Sequence, residues 1–221
     1  YGFGCPATLE DEGAMKFFAS LFSNGGQILT DDNSRAAFNS PEGVAALEAL
    51  MKHVKAGSTP TSIVSGKASD IDNGVFQGKF AMATMTKAYG LARDLIPNIT
   101  TEQYLNSFGV APIPHAPNGV PSTMAGGYLL SVPTGSRNQD LAWELISIAA
   151  GADLQFAYTA ARGYVPTFKS LMARGDDYAE VDPYFSIILA QLPHANFRPS
   201  IPAWTEISAE VQNAMQAVVL D

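Results

Sequence analysis

The chain has 221 residues, 47% of them hydrophobic and 15% charged, so it can bury a core and is too apolar for a disordered polymer. Thirteen Lys and Arg against 21 Asp and Glu give a formal net charge of -8, which repels a phosphate backbone and argues against nucleic acid as a partner. With one cysteine and three histidines, neither an internal disulfide nor the common zinc sites can be assembled.

Before the first element, Tyr1 is not methionine and no basic-then-apolar signal precedes the folded-looking sequence, so the expectation is a mature chain or a fragment. Cys5 reads as a small buried side chain. The first helix is predicted from about Glu10 to Ser23, because Met15, Phe18, Leu21 and Phe22 recur at helical spacing and Asn24-Gly25-Gly26 stops it. Glu10, Asp11 and Glu12 stand in its first turn, where carboxylates complement the helix dipole. Ser40-Pro41-Glu42 is a second start, a hydroxyl cap followed by proline at the first helical position, and Val44, Leu47, Leu50, Met51 and Val54 continue it to Gly57.

Ile71, Val75 and Phe76 suggest a short helix closed by Gly78, and the apolar run 80–85 a buried strand. Lys87 to Ile96 reads as helix. Residues 108–114 read as extended, because Pro112 and Pro114 forbid a helix, and as a crossing between structural units. A second buried strand is expected at Leu129, Leu130 and Val132, then a helix capped by Ser136 whose Trp143 belongs to a core face. Further helices are expected at Leu154 to Ala161, near Lys169, from Pro183 to Gln191 and from Thr205 to Val219. Helices alternating with few short strands give an α/β class.

Catalytic signatures are scarce. Gly66-Lys67 lacks the glycine a phosphate loop needs at position 61, and Asp70-Ile71-Asp72-Asn73-Gly74 departs from a calcium loop in both its glycine and its final acid. His53, His115 and His194 have no identifiable catalytic partner. No cofactor motif is present, and none is expected. What remains suits a neutral, hydroxyl-rich ligand: Tyr89 after a strand and the polar pair Thr86-Lys87, Gly126-Gly127-Tyr128 with backbone amides beside a ring, and Arg198 leading to Trp204. Sugars offer C–H faces to aromatic rings and hydroxyls to in-plane donors and acceptors. Two other readings stand beside this one: a glycoside-processing enzyme using acids such as Asp31, Asp32 or Glu206, and a protein-docking module built on Tyr128 and Trp204.

In order and spacing, Phe38-Asn39-Ser40-Pro41-Glu42-Gly43, Phe76-Gln77-Gly78-Lys79-Phe80-Ala81-Met82, Gly126-Gly127-Tyr128-Leu129-Leu130, the stretch from Ser136 to Glu144, and Arg198-Pro199 to Ile207 resemble the extracellular, or periplasmic, solute-binding proteins of sugar ABC transporters, the maltose-binding-protein-like family 1. The resemblance implies a periplasmic-binding-protein-like fold of type II: two α/β lobes with ligand between them and closure by a hinge. Relatives begin with a further lobe-sized segment, so residues 1–110 and 166–221 would correspond to the second lobe and 111–165 to a segment that crosses to the first. It further implies a non-enzymatic carrier of a sugar, oligosaccharide or polyol, located in the periplasm or outside the cell. Its partners would be that ligand and a membrane permease, and its only membrane association would be the permease or an N-terminal lipid anchor. The implied ligand contacts are Tyr89, Gly126, Gly127, Tyr128, Arg198 and Trp204.

Overall fold

The computed structural model describes residues 1–85, 88–179 and 182–220. In chain order the elements are β1 (Phe3–Gly4), α1 (Asp11–Ser23), α2 (Pro41–Lys55), α3 (Ala68–Phe76), β2 (Met82–Ala83), α4 (Ala88–Leu95), α5 (Thr101–Ser107), β3 (Thr123–Ala125), α6 (Gln139–Ala149), α7 (Ala152–Arg162), α8 (Lys169–Met172), α9 (Gly175–Ala179), α10 (Phe185–Leu189), β4 (Ala195–Phe197) and α11 (Trp204–Leu220). The strands form two parallel pairs. Phe3 stands opposite Met82 and Gly4 opposite Ala83; Thr123, Met124 and Ala125 stand opposite Ala195, Asn196 and Phe197. Parallel partners so distant in sequence require helical crossovers, which is the α/β pattern the sequence predicts.

The chain divides into two compact units. Unit 1 holds Tyr1–Met85, Pro112–Ala125 and Gln191–Asp221; unit 2 holds Thr86–Ala111 and Gly126–Ala190. These borders differ from the expected segments 1–110, 111–165 and 166–221, since residues 86–111 join the later helices and 112–125 join the first unit.

Unit 1 has one apolar core. Phe18 and Leu21 of α1, Ala46 and Leu50 of α2, Ile71 of α3, Phe80, and Val211, Met215 and Val219 of α11 all pack into it, with Cys5 alongside. Burial pushes the Cys5 thiol up to about 11, against a smaller opposing effect of Lys16, so it is a packing group with little thiolate character. The α2 start forms as its sequence dictates: the Ser40 hydroxyl accepts from Gly43 N at 3.3 Å, with Pro41 at the first helical position. Gly43 is required there, because a Cβ would stand 1.8 Å from the Phe38 carbonyl oxygen. That close approach explains the pairing of Phe38 with Gly43 in the motif.

Unit 2 is built on aromatics. Tyr104 is buried among Tyr89, Phe108 and Tyr184, at centroid distances of 4.7, 5.4 and 5.8 Å, and Tyr184 Oη donates to the Phe108 carbonyl at 2.7 Å. Tyr178 packs between Phe156 and Phe185. The α4 and α7 helices are joined by Arg93, which donates to the carbonyls of Ala160 and Ala161 at the end of α7, and by an Arg162–Asp94 ion pair of 2.7 Å. At Gly90 a Cβ would lie 3.0 Å from the Arg162 carbonyl, so glycine sets the spacing of the two helices.

Several expectations are corrected here. Leu129, Leu130 and Val132 form no strand, and Leu129 is 95% exposed; the strand lies earlier, at β3. The run 80–85 yields only the two-residue β2, and Met82 is exposed. Ser136 does not cap α6 directly: Asn138 is the residue before that helix, and the Ser136 hydroxyl accepts from Asn138 N. Trp143 is 64% exposed, because α6 has no buried residue at all. Its apolar pattern is helical, but among the described residues nothing covers the face that carries Leu141, Leu145 and Ile148. The sequence reading also passed over α5, whose signal was present: Thr100 accepts from Gln103 N while Gln103 Oε1 accepts from Thr100 N, a complete capping box.

Candidate functional site

Of the six residues expected to touch ligand, Arg198 and Trp204 lie in unit 1, while Tyr89, Gly126, Gly127 and Tyr128 lie in unit 2. In unit 1, Asp11 joins its two. The Asp11 carboxylate, in the first turn of α1, accepts from Arg198 Nη1 at 2.5 Å, from Trp204 Nε1 at 3.1 Å and from Ser208 Oγ at 2.6 Å. Ser208 in turn accepts from Gln212 Nε2 at 2.8 Å, one turn further along α11. The Trp204 ring rests on Phe18 with a centroid distance of 5.4 Å, so one part of it is anchored in the core while Arg198 stays half-exposed. Such an arrangement fixes an indole and a guanidinium side by side, the chemistry used to hold polyhydroxy guests.

Asp11 is the residue the sequence reading missed. It was assigned only to the helix dipole, and the position does serve that purpose, yet a carboxylate there also supplies acceptors to a helix more than 190 residues later. No local pattern marks that contact. The only hint was Asp11, Arg198 and Trp204 occurring in one chain with Ser208 one helical turn beyond Trp204.

In unit 2 the expected residues separate. Tyr89 is 5% exposed: its hydroxyl pairs with Thr101 Oγ1 at 2.8 Å, Tyr104 covers it from one direction, and the Arg93 guanidinium lies 5.0 Å from its ring centre. Tyr89 therefore presents no open ring face, and its place is in the aromatic centre of the unit. The polar pair Thr86-Lys87 before it lies outside the described residues. Tyr128 is the opposite case, 87% exposed, following Gly126 and Gly127 whose backbones are also exposed. A Cβ at Gly127 would meet nothing within 4 Å and its φ is not positive, so packing inside the unit does not demand glycine there. Open backbone beside an open ring is what a ligand-approach position needs.

Two open hollows occur at neither place. One, of about 310 Å³, lies in unit 1 among Phe22, Val120, Ser122, His194 and Asn196. The other, of about 530 Å³, follows α6. Two of the acids considered for catalysis, Asp31 and Asp32, are engaged in local side-chain hydrogen bonds. Asp32 accepts from Thr30 Oγ1 at 2.6 Å and from the backbone and hydroxyl of Ser34, and these bonds, Thr30 first, pull its carboxyl down to about 2. A carboxylate so stabilised is a weak base and locks its turn. Asp31 accepts from Gln27, and Glu206 lies exposed in the first turn of α11.

The bacterial extracellular solute-binding protein family matches residues 6–156. The chain belongs to that family. A binding protein of Brucella abortus is 28% identical over all 221 residues, which make up 51% of its length. Among solved structures, an ABC transporter solute-binding protein of Thermotoga lettingae bound with alpha-D-tagatose is 29% identical with a TM-score of 0.86; it is matched by 100% of this chain and over 54% of its own. The maltose-bound MalE3 of T. maritima has the same TM-score at 24% identity, covering 100% of this chain and 56% of that one, and shows likeness of fold. The chain thus spans about half the length of the relatives it matches. Its parallel pairs and crossover helices are those of the type II periplasmic-binding-protein fold.

Proposed function

We propose that this chain is part of a receptor that captures a sugar, oligosaccharide or polyol outside the cytoplasmic membrane and delivers it to an ABC permease. The observation that carries this reading is the match of the entire chain, at 29% identity and a TM-score of 0.86, to a tagatose-bound ABC transporter solute-binding protein. The Asp11–Arg198–Trp204 group gives the reading its chemistry in unit 1, and Gly126, Gly127 and Tyr128 give it in unit 2. Tyr89 acts in this reading as a brace, holding α4 to α5 through Thr101. No bond needs to be broken for this function, and the Asp32 carboxylate is already engaged by Thr30 and Ser34 within its own turn.

The reading also assigns 111–165 to the side of a first lobe and 1–110 with 166–221 to the second. The uncovered apolar face of α6 supports that assignment, since an exposed apolar patch bearing Leu141, Leu145 and Ile148 is the kind of surface that another surface covers. Ligand would favour the closed lobes through contacts it makes better in that state. A thermal-shift screen of monosaccharides, disaccharides and polyols against the full-length protein tests the function. A true ligand at one hundred times its Kd stabilises by about 2.7 kcal/mol, and a screen in which no sugar or polyol raises Tm would sink the proposal.

A further inference from the structure

Asparagine followed by glycine occurs three times in the chain, at Asn24-Gly25, Asn73-Gly74 and Asn118-Gly119. In such a pair the backbone nitrogen of the glycine can attack the asparagine side-chain amide, because no Cβ on the glycine obstructs the approach. The structure holds the three pairs differently. Asn24 is half-buried at the end of α1, its Nδ2 donates to the Ser20 carbonyl at 2.8 Å, and Gly25 N donates to the Phe22 carbonyl at 2.9 Å. Asn73 and Gly74 lie within α3, where Gly74 is buried and a Cβ on it would stand 2.7 Å from the Phe80 ring. Asn118 lies in the connection between α5 and β3, is exposed, and its side-chain amide makes no hydrogen bond among the described residues. That pair is held by one turn bond, from Gly119 N to the Ala116 carbonyl at 2.8 Å.

We propose that Asn118 is a site of spontaneous isoaspartate formation, and that its conversion loosens residues 118–120 from the end of α1. Opening the turn breaks a single backbone bond, whereas Gly74 N is released only by unwinding the helix around it. Base removes the Gly119 N–H proton and the nitrogen attacks Asn118 Cγ. The N–Cγ bond forms, the Cγ–Nδ2 bond breaks, and the side-chain nitrogen leaves as ammonia with a proton taken from water. Water then reopens the imide ring. Cleavage at Cγ gives an ordinary aspartate; cleavage at the main-chain carbonyl gives an isoaspartyl link in which the backbone runs through Cβ. The residues that follow are closely docked: Val120 N donates to the Ser23 carbonyl at 2.9 Å, and a Cβ on Gly119 would stand 2.5 Å from that same oxygen. An extra methylene in the backbone displaces both from α1, and the new carboxylate brings negative charge toward the carbonyl end of that helix, where it is unfavourable.

The test is peptide mapping of the full-length protein held in warm, mildly alkaline buffer. Isoaspartate is read by labelling with an isoaspartyl methyltransferase, and a synthetic peptide of residues 114–122 serves as the clock. The fragment spanning Asn118 is expected to convert at least about tenfold faster than those spanning Asn24 and Asn73, since more structure must open at the other two. Asn118→Gln, whose longer side chain has to close a larger ring, is expected to stay unlabelled at that position. Wild type should lose Tm as it converts, while Asn118→Gln held for the same time keeps its own. Conversion at Asn24 or Asn73 as fast as at Asn118, or no conversion at Asn118 in the time the clock peptide takes, overturns the assignment. Conversion at Asn118 with no fall in Tm overturns the loosening from α1.

Discussion

Both units are helical and rich in apolar residues, yet they dispose of those residues differently. Unit 1 gathers residues from α1, α2, α3 and α11 into one core in which Phe18 and Leu21 are fully buried. Unit 2 buries a smaller set centred on Tyr104, Tyr178 and Phe185, and leaves the whole of α6 and the tyrosines at 128 and 158 in contact with water. Amphipathic periodicity states that a helix has a face to bury. It does not state whether the surface that buries it lies within the same stretch of chain.

The largest test of that contrast is truncation on the two sides of it. In the 221-residue chain, Phe18→Ala is expected to cost about 4 kcal/mol by chemical denaturation, because it empties a closed core. Leu145→Ala on the exposed face of α6 should cost less than about 0.5 kcal/mol in the same chain. Equal losses would mean that the α6 face is covered after all. In the full-length protein the Leu145 cost should rise, as the first-lobe assignment requires.

Next in size is the group around Asp11. Asp11→Ala leaves Arg198, Trp204 and Ser208 without their shared acceptor and is expected to cost about 2 kcal/mol, with a red shift in the Trp204 emission. Asp11→Asn keeps one acceptor oxygen and should cost about half as much. If ligand affinity falls in Asp11→Ala while Tm recovers in stabilising salts, the group serves binding as well as folding.

The helix caps give a matched pair across the two units. Ser40→Ala at α2 and Thr100→Ala at α5 should each cost about 1 kcal/mol in urea titrations. A markedly larger loss at Thr100 would show that the smaller core of unit 2 depends more on local structure.

The smallest effects are two titrations of opposite sign. Asp32 in unit 1 has its carboxyl lowered, Thr30 being the main cause, so its contribution is present above the ordinary carboxylate value and is lost as pH falls toward about 2. Asp182 in unit 2 is raised, burial being the main cause, with Tyr184 N and Arg93 opposing and Tyr104 nearby. Its contribution is present below the ordinary carboxylate value and is lost as pH rises through the raised one, so Asp182→Asn should stabilise unit 2 at neutral pH. Tm measured from about pH 2 to pH 6 should lose its acid-side slope in Asp32→Asn, and its opposite slope in Asp182→Asn. Slopes of the same sign would break the contrast.

Much of the local structure was legible because its causes are local. Ser40-Pro41 begins α2, the Asn24-Gly25-Gly26 stop ends α1, and α11 lies within one residue of the expected bounds, since caps, breakers and 3.6-residue spacing act over a few neighbours. The strands were less legible: a two- or three-residue parallel strand takes its identity from a partner 79 residues away in one pair and 72 in the other, so β3 was read six residues late. The candidate site divides the same way. Arg198 and Trp204 stand out by residue type, whereas Asp11, which accepts hydrogen bonds from both, does not, because its part in the group lies in contacts.

The sequence by itself determined the acidic α/β character of the chain, most helix limits and its resemblance to solute-binding proteins, all of which follow from composition and short-range order. Only the tertiary structure decided that Tyr89 is sealed against Tyr104, that Asp11 reaches across to α11, and that the Leu141, Leu145 and Ile148 face of α6 finds no cover among the described residues. Burial and hydrogen bonding between distant segments are properties of how surfaces meet, and a side chain's chemistry specifies what it can bond to without specifying which partner will arrive.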